Sequence, residues 1–175
     1  GIIREKNPPN LVIDIGGVGF TVFMPVSLFS KIGSLGERVS VMTKLIVKED
    51  ALELYGFLNH NELNLFEDLI SVPGIGPKSA LNLLSRFSVT DLLAAIENQN
   101  DELLSTVPGI GKKTAAKIIL ELKGKIKFEK DKPNLIQAIE AITALGLTRG
   151  EAIEKLKGVD PNLSPEEMVR KALKR

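Results

Sequence analysis

The sequence predicts a multidomain chain that runs from β to α: a small N-terminal β-barrel, a central helical domain and a C-terminal three-helix bundle. Three observations carry that prediction. Up to residue 58, apolar residues alternate with a period of two between glycine turns, as half-buried strands require. From residue 59 the apolar spacing changes to three and four, as amphipathic helices require. Within the helical part, Val72-Pro73-Gly74-Ile75-Gly76-Pro77-Lys78-Ser79-Ala80 returns 35 residues later as Val107-Pro108-Gly109-Ile110-Gly111-Lys112-Lys113-Thr114-Ala115. A period of that size marks a repeated supersecondary unit.

In residues 1–58, Leu11-Val12-Ile13-Asp14-Ile15 alternates, and Gly16-Gly17 supplies a hairpin turn into Phe20-Thr21-Val22-Phe23-Met24. Val26 to Ile32 reads as a short helical turn closed by Gly33. The long strand that follows puts Val39, Val41, Thr43, Leu45 and Val47 on one face, and Arg38, Ser40, Met42, Lys44, Ile46 and Lys48 on the other. Glu49-Asp50-Ala51 interrupts it, and Leu52-Glu53-Leu54-Tyr55-Gly56-Phe57 returns as another strand. Several short strands around one long one predict a small barrel, OB-like or SH3-like by periodicity alone.

Residues 59–125 read as short helices. Leu63, Phe66, Leu69 and Ile70 form a stripe leading into the first repeat, and Ala80, Leu83, Leu84 and Phe87 form one leading out of it. Ser88 through Asp91 is an N-cap pattern, ahead of Leu92, Leu93 and Ile96. A short helix from Asp101 to Thr106 reaches the second repeat, and Lys112 to Lys123 forms the helix beyond it. Each repeat is therefore helix, Gly-Ile-Gly hairpin, helix. Residues 126–133 are crowded with charge, with only Ile126 and Phe128 as large apolar residues, and read as a solvated linker. Residues 134–175 read as three helices, with Gly146 as a C-cap and with Thr148-x-x-Glu151 and Ser164-Pro165-Glu166-Glu167 as capping boxes. About 40 residues is near the lower limit for independent folding, which suits a docking module.

Composition removes most catalytic classes. The chain has 175 residues, 43% of them hydrophobic, which is ample for packed cores. It has no cysteine, hence no disulfide, thiolate zinc site or cysteine nucleophile, and its one histidine, His60, leaves no multi-histidine metal site. No carboxylates fall at metal-ligand spacing. The glycines match neither nucleotide fingerprint: Gly111-Lys112 is followed by Lys113 rather than Ser or Thr, Gly109 sits too close, and the segments before both repeats are helical. We therefore expect no catalytic residue, metal or cofactor. No apolar run reaches the length of a membrane span, and the start does not resemble a signal peptide, so an intracellular protein is expected.

The repeats carry the positive case. Alternate glycines let the backbone turn tightly and approach a ligand, and Pro77 suits the first helical position. The helix beyond each hairpin then presents free amides that attract anions, phosphate above all. Lys78 and Lys113 are equivalent positions of the repeat, and Lys117 lies one turn beyond Lys113. Overall charge does not help: net charge is +1. Residues 59–125 set Lys78, Arg86, Lys112, Lys113, Lys117, Lys123 and Lys125 against Glu62, Glu67, Asp68, Asp91, Glu97, Asp101, Glu102 and Glu121, one acid more than the bases. DNA binding here must rest on local placement, and it should be sequence-independent and salt-sensitive. A single copy could be an ordinary tight turn with solvated lysines; two copies, both basic after the second glycine, favour phosphate binding. The other readings are an enzyme with these hairpins as accessory, such as a nuclease or glycosylase, and a protein-interaction module of small helical domains.

The two repeats resemble the helix-hairpin-helix pair of DNA repair and recombination proteins. Their order after a barrel, with Val47-Lys48-Glu49-Asp50-Ala51-Leu52 and Leu54-Tyr55-Gly56-Phe57 upstream, resembles the RuvA family, the Holliday-junction-binding subunits of the bacterial branch-migration machine. The resemblance covers nearly the whole chain and implies an OB-fold domain over 1–58, a tandem helix-hairpin-helix DNA-binding domain over 59–125, a flexible linker over 126–133 and a three-helix domain over 134–175 for the ATPase partner. The family's opening Met-Ile-x-x-Leu-x-Gly is matched only by Gly1, which implies a shortened first strand.

The resemblance also implies roles. Gly74, Gly76, Lys78, Ser79, Gly109, Gly111, Lys112, Lys113, Lys117 and Lys48 would face DNA. Glu49 and Asp50 would form an acidic pin at the crossover, where two carboxylates repel phosphates and help keep exchanging strands apart. Met168, Val169 and Leu173 would contact the partner. The implied partners are four-way junction DNA, a RuvB-like hexameric ATPase and a RuvC-like junction resolvase, with a homotetramer, or an octamer on DNA, as the working form. The implied setting is recombination and repair of DNA damage, with the SOS response, in the bacterial cytoplasm.

Overall fold

The computed structural model describes residues 1–125, 133–160 and 163–173, which belong to two compact units, Gly1–Lys127 and Phe128–Arg175. The charged linker expected over 126–133 lies outside the described residues except for Pro133.

The first unit opens with five strands: β1 (Ile2–Asn7), β2 (Asn10–Ile15), β3 (Val18–Phe23), β4 (Met42–Val47) and β5 (Leu52–Phe57). Their order in the sheet is β1-β2-β3-β5-β4, antiparallel except for the β3–β5 pair. The β2–β3 turn uses Gly16 and Gly17 at φ of 64° and 91°, a conformation that side-chain-bearing residues resist, as a two-residue hairpin of this hand requires. Asp14 closes that turn, accepting from the Gly17 amide at 2.8 Å and from Arg4 at 2.7 Å. The Arg4 hydrogen bond, followed by the one from Gly17, holds the Asp14 carboxyl below its ordinary range. The chain ahead of β4 returns to β1, where Gly1 and Val39 exchange backbone hydrogen bonds of 2.9 Å and Ile2 bridges Arg38. That contact turns the sheet into a small closed barrel. Its interior holds Ile3, Leu11, Ile13, Val22, Met24, Leu28, Phe29 and Ile32. Val26–Leu28 forms a short 3-10 turn, within the stretch read as helical from sequence.

Two details of the barrel depend on its neighbours. β1 is a full six-residue strand paired along β2, although its charged sequence, Ile2-Ile3-Arg4-Glu5-Lys6-Asn7, shows too little alternation to be read as one. In β4 the half-buried set is Met42, Lys44 and Ile46, whereas Leu45 and Val47 are exposed. The cause is the neighbour: Ile46 packs on the helical core, and Lys44 pairs with Glu67 of the next helix. Gly56 on β5 is there for space, since a Cβ would lie 2.5 Å from the Val22 side chain and 3.2 Å from Met24. Gly56→Ala is therefore expected to cost about 1–3 kcal/mol by overpacking, measurable by chemical denaturation.

The same unit continues with α1 (His60–Ser71), α2 (Pro77–Arg86), α3 (Val89–Glu97), α4 (Asp101–Leu104) and α5 (Lys112–Leu122). One hydrophobic cluster runs from Tyr55 and Phe57 of β5 through Leu65, Phe66 and Leu69 of α1 to Ile118 and Leu122 of α5. Phe66 sits against both aromatic residues of β5, with ring centroids 5.1 Å from Tyr55 and 4.9 Å from Phe57. Polar contacts add to this seam. The Val26 amide donates to Ser85 Oγ at 2.9 Å, Ser27 Oγ donates to the Leu84 carbonyl at 3.0 Å, and the Leu58 amide donates to Glu62 at 2.9 Å. The helical core therefore extends into β5, and barrel and helices form one compact unit.

The second unit contains α6 (Pro133–Ala144), α7 (Arg149–Leu156) and α8 (Pro165–Leu173). Thr148 and Glu151 form a reciprocal capping box on α7, and Ser164 and Glu167 exchange equivalent bonds ahead of α8. Gly146 takes φ of 98° after α6, the left-handed C-cap conformation. Ala138, Ile139, Ile142, Ala152, Leu156, Met168 and Ala172 fill the centre. Met168 thus lies inside the bundle at 0% exposure and cannot itself present a docking surface. It shares the inward helix face with Ala172, four residues on, whereas Leu173 is 43% exposed and Val169 is half-buried between the two.

Candidate nucleic-acid interface

The two glycine hairpins have the same backbone. Gly74 and Gly109 take φ of 95° and 89°, accessible to glycine and strained for any other residue. Gly76 and Gly111 follow at −89°, 167° and −85°, 168°, ordinary extended values that start α2 and α5. In each hairpin the isoleucine amide donates to the valine carbonyl at 3.0 Å: Ile75 to Val72 and Ile110 to Val107. Those four apolar side chains are buried in the common core, while both glycines of each hairpin are exposed. The valine and isoleucine anchor the loop, and the Gly-x-Gly edge is left facing out.

The helix starts behind the hairpins differ from the other starts in this domain. α1, α3 and α4 begin with Asn59, Ser88 and Asn100, each of which accepts a hydrogen bond from a first-turn amide. α2 and α5 begin with glycine, so no side chain caps them, and neither has an acidic residue in its first turn. Instead Lys78 and Lys113 occupy the second helical position and Lys112 the first, all exposed. A cation at a helix N-terminus opposes the macrodipole, so these lysines work against the local helix. Such a local conflict is relieved by an anion, which would meet free amides, the positive helix end and the ammonium groups together.

The hairpins abut. Asn82 on α2 donates to the Pro108 carbonyl at 3.2 Å. A Cβ on Gly109 would come within 3.3 Å of Ser79 Oγ. Ser79, named with the first hairpin, therefore lies beside the second. Lys117 is exposed one turn along α5 from Lys113.

Glu49 and Asp50 are exposed at the β4–β5 turn, which the Lys48 amide closes by donating to the Ala51 carbonyl at 2.8 Å. The Lys48 side chain does not stand free. Its ammonium lies 2.7 Å from Glu53, whose Oε2 also accepts from the Tyr55 hydroxyl at 2.8 Å. The Lys48 hydrogen bond, then that of Tyr55, holds the Glu53 carboxyl below its ordinary range, and the Lys78 charge acts in the same direction. Burial, with the Glu53 carboxylate, pushes the Tyr55 hydroxyl far up, so it remains a donor. Lys48 of the strand turn and Tyr55 of the barrel thus converge on one carboxylate. Glu53 carries no motif of its own in the sequence; the one signal for it is its place two residues from Tyr55, on the same face of β5.

Among the described residues, no group of three or more His, Cys, Asp or Glu side chains could hold a metal ion, and no helix is long and apolar enough to cross a membrane.

Residues 1–56 match the RuvA N terminal domain, and residues 66–125 match the SAM-like helix-hairpin-helix tandem. Similarity to whole proteins runs the length of the chain. A protein of Dehalococcoides mccartyi is 46% identical over 182 residues, covering 99% of this chain and 94% of its own. One from Delftia acidovorans is 42% identical over 180 residues, covering 99% and 95%. A third, from Caldanaerobacter subterraneus subsp. tengcongensis, is 41% identical over 179 residues, covering 100% and 95%. All three are named Holliday junction branch migration complex subunit RuvA. With both domain matches in chain order and this identity over its full length, the chain belongs to the RuvA family of Holliday junction branch migration complex subunits.

Proposed function

We propose that this chain binds four-way DNA junctions by their shape, through phosphates, and delivers them to a separate ATPase motor without catalysis of its own. The observation that carries the reading is the pair of uncapped hairpin helices with matching glycine dihedrals and lysines at their starts. Gly74, Gly76, Lys78 and Ser79 form one grip, and Gly109, Gly111, Lys112, Lys113 and Lys117 the other. Free backbone amides at a helix start, with lysines beside them, suit phosphate oxygens, so binding follows the phosphate backbone and not the sequence. Each contact is modest, and strength comes from multiplicity.

Fourfold assembly supplies that multiplicity, with one hairpin pair for each arm of an open junction. Exposed apolar residues of the barrel, Ile15, Val18, Leu45, Val47 and Leu52, are surface that such association would bury, and Leu120 on α5 suits a second tetramer on the opposite DNA face. Glu49 and Asp50 stand at the crossover and keep the exchanging strands apart by charge repulsion. Residues 134–175 form the separate domain that meets a RuvB-like motor, with Leu173 and Val169 as contact residues and Met168 shaping that face from within. A RuvC-like resolvase shares the junction, and the work belongs to recombination and repair in the bacterial cytoplasm.

Equilibrium binding to a four-way junction and to linear duplex of equal length tests this reading. Preference for the junction is expected on the order of 10²-fold, and equal affinity would contradict it. Incubating labelled junctions with the protein and magnesium should leave every strand intact; cleavage would favour the alternative, an accessory subunit of a nuclease or repair enzyme.

A further inference from the structure

We propose that Glu53 is a built-in counter-anion for Lys48: it folds the lysine back along the barrel and withholds its charge, so that DNA engages Lys48 only by displacing a carboxylate. The inference rests on the junction-binding reading above and names a residue that tunes it.

The geometry is asymmetric. Glu53 is anchored from within: its carboxylate accepts from Tyr55, which is 1% exposed and lies between Phe23 and Phe66, at ring-centroid distances of 5.4 and 5.1 Å. The Glu53 side chain itself is only 17% exposed, whereas that of Lys48 is 40% exposed. The carboxylate is therefore fixed by buried aromatic packing, and the lysine is the mobile partner with solvent on its other side. Among the described residues, Lys78, Lys112, Lys113 and Lys117 form no ion pair. Of the lysines assigned to DNA, Lys48 alone is held in this way. The lysine end of the pair is half-exposed, where an ion pair adds little to stability and can be exchanged for another anion. A phosphate arriving there must compete with an anion already in place.

Salt titrations of four-way-junction binding, with wild type, Glu53→Gln, Lys48→Met and the double variant, test this. Gln keeps an oxygen for the Tyr55 hydroxyl, so the strand should be undisturbed. Glu53→Leu, which also suits a strand, must give the same changes. Removing the carboxylate is expected to raise affinity roughly three- to tenfold at about 50 mM salt, because one more lysine per subunit releases counterions. The slope of log affinity against log salt should steepen by about one for each subunit engaged. With Lys48→Met already present, Glu53→Gln should change affinity by less than about twofold. Unchanged or weaker binding by Glu53→Gln would overturn the proposal. So would an equal gain in the Lys48→Met background, which would assign Glu53 to general surface charge. Failure of the wild type to prefer the junction would instead count against the function itself.

Discussion

Replacing Lys78 and Lys113 together by glutamate is expected to lower four-way-junction affinity by a factor on the order of 10³ at low salt. Both hairpins of every subunit lose a phosphate contact, and each reversal adds repulsion to the loss. Stability should move the other way. Both lysines are exposed in the first turn of a helix, where a cation opposes the macrodipole and an anion favours it. The melting temperature should therefore hold or rise while binding collapses. Retained affinity would refute the hairpin assignment, and a fall in melting temperature would contradict the view that these lysines are carried at a cost to the fold.

Phe66→Ala has the largest expected effect on the protein itself. Phe66 is 0% exposed and joins the helical domain to the barrel through Tyr55 and Phe57. Truncating a buried phenylalanine costs about 3–5 kcal/mol, because the lost contacts are followed by an unfilled cavity. Domains are typically stable by only about 5–15 kcal/mol, so this is a large fraction of the total. Chemical denaturation followed on the barrel and on the helices should show one shared loss, since Tyr55 and Phe57 of the barrel belong to the helical core. A change below about 1 kcal/mol, or a barrel unaffected while the helices melt, would contradict the single-body description.

Much of this could be read from the chain because local chemistry and tertiary structure agree. The Val-Pro-Gly-Ile-Gly repeat shows in sequence because the left-handed turn needs glycine and its anchors must be apolar, wherever the rest of the protein lies. Capping residues such as Ser88 and Thr148 are legible for the same reason, each acting on an amide three positions away. What could not be read depends on distant partners. β1 owes its strand to pairing with β2 and to closure by Val39, not to its own charged residues. The two faces of β4 are legible, but which of them turns inward is chosen by Glu67 and the helical core. Met168 looks like part of an amphipathic docking face until α6 and α7 are seen to cover it. Lys48 reads as a free cation in sequence, and only the fold brings it to Glu53 and Tyr55.

The central claim is that both hairpins grip phosphates with backbone amides and lysines, without regard to sequence. It is tested most directly by following backbone amide resonances while two four-way junctions of unrelated sequence are titrated in. The amides of Gly76, Lys78 and Ser79, and of Gly111, Lys113 and Thr114, are expected to shift together and to the same positions with both junctions. Shifts confined to one hairpin, shifts that depend on the arm sequences, or hairpin amides that stay in place while the junction binds would contradict it.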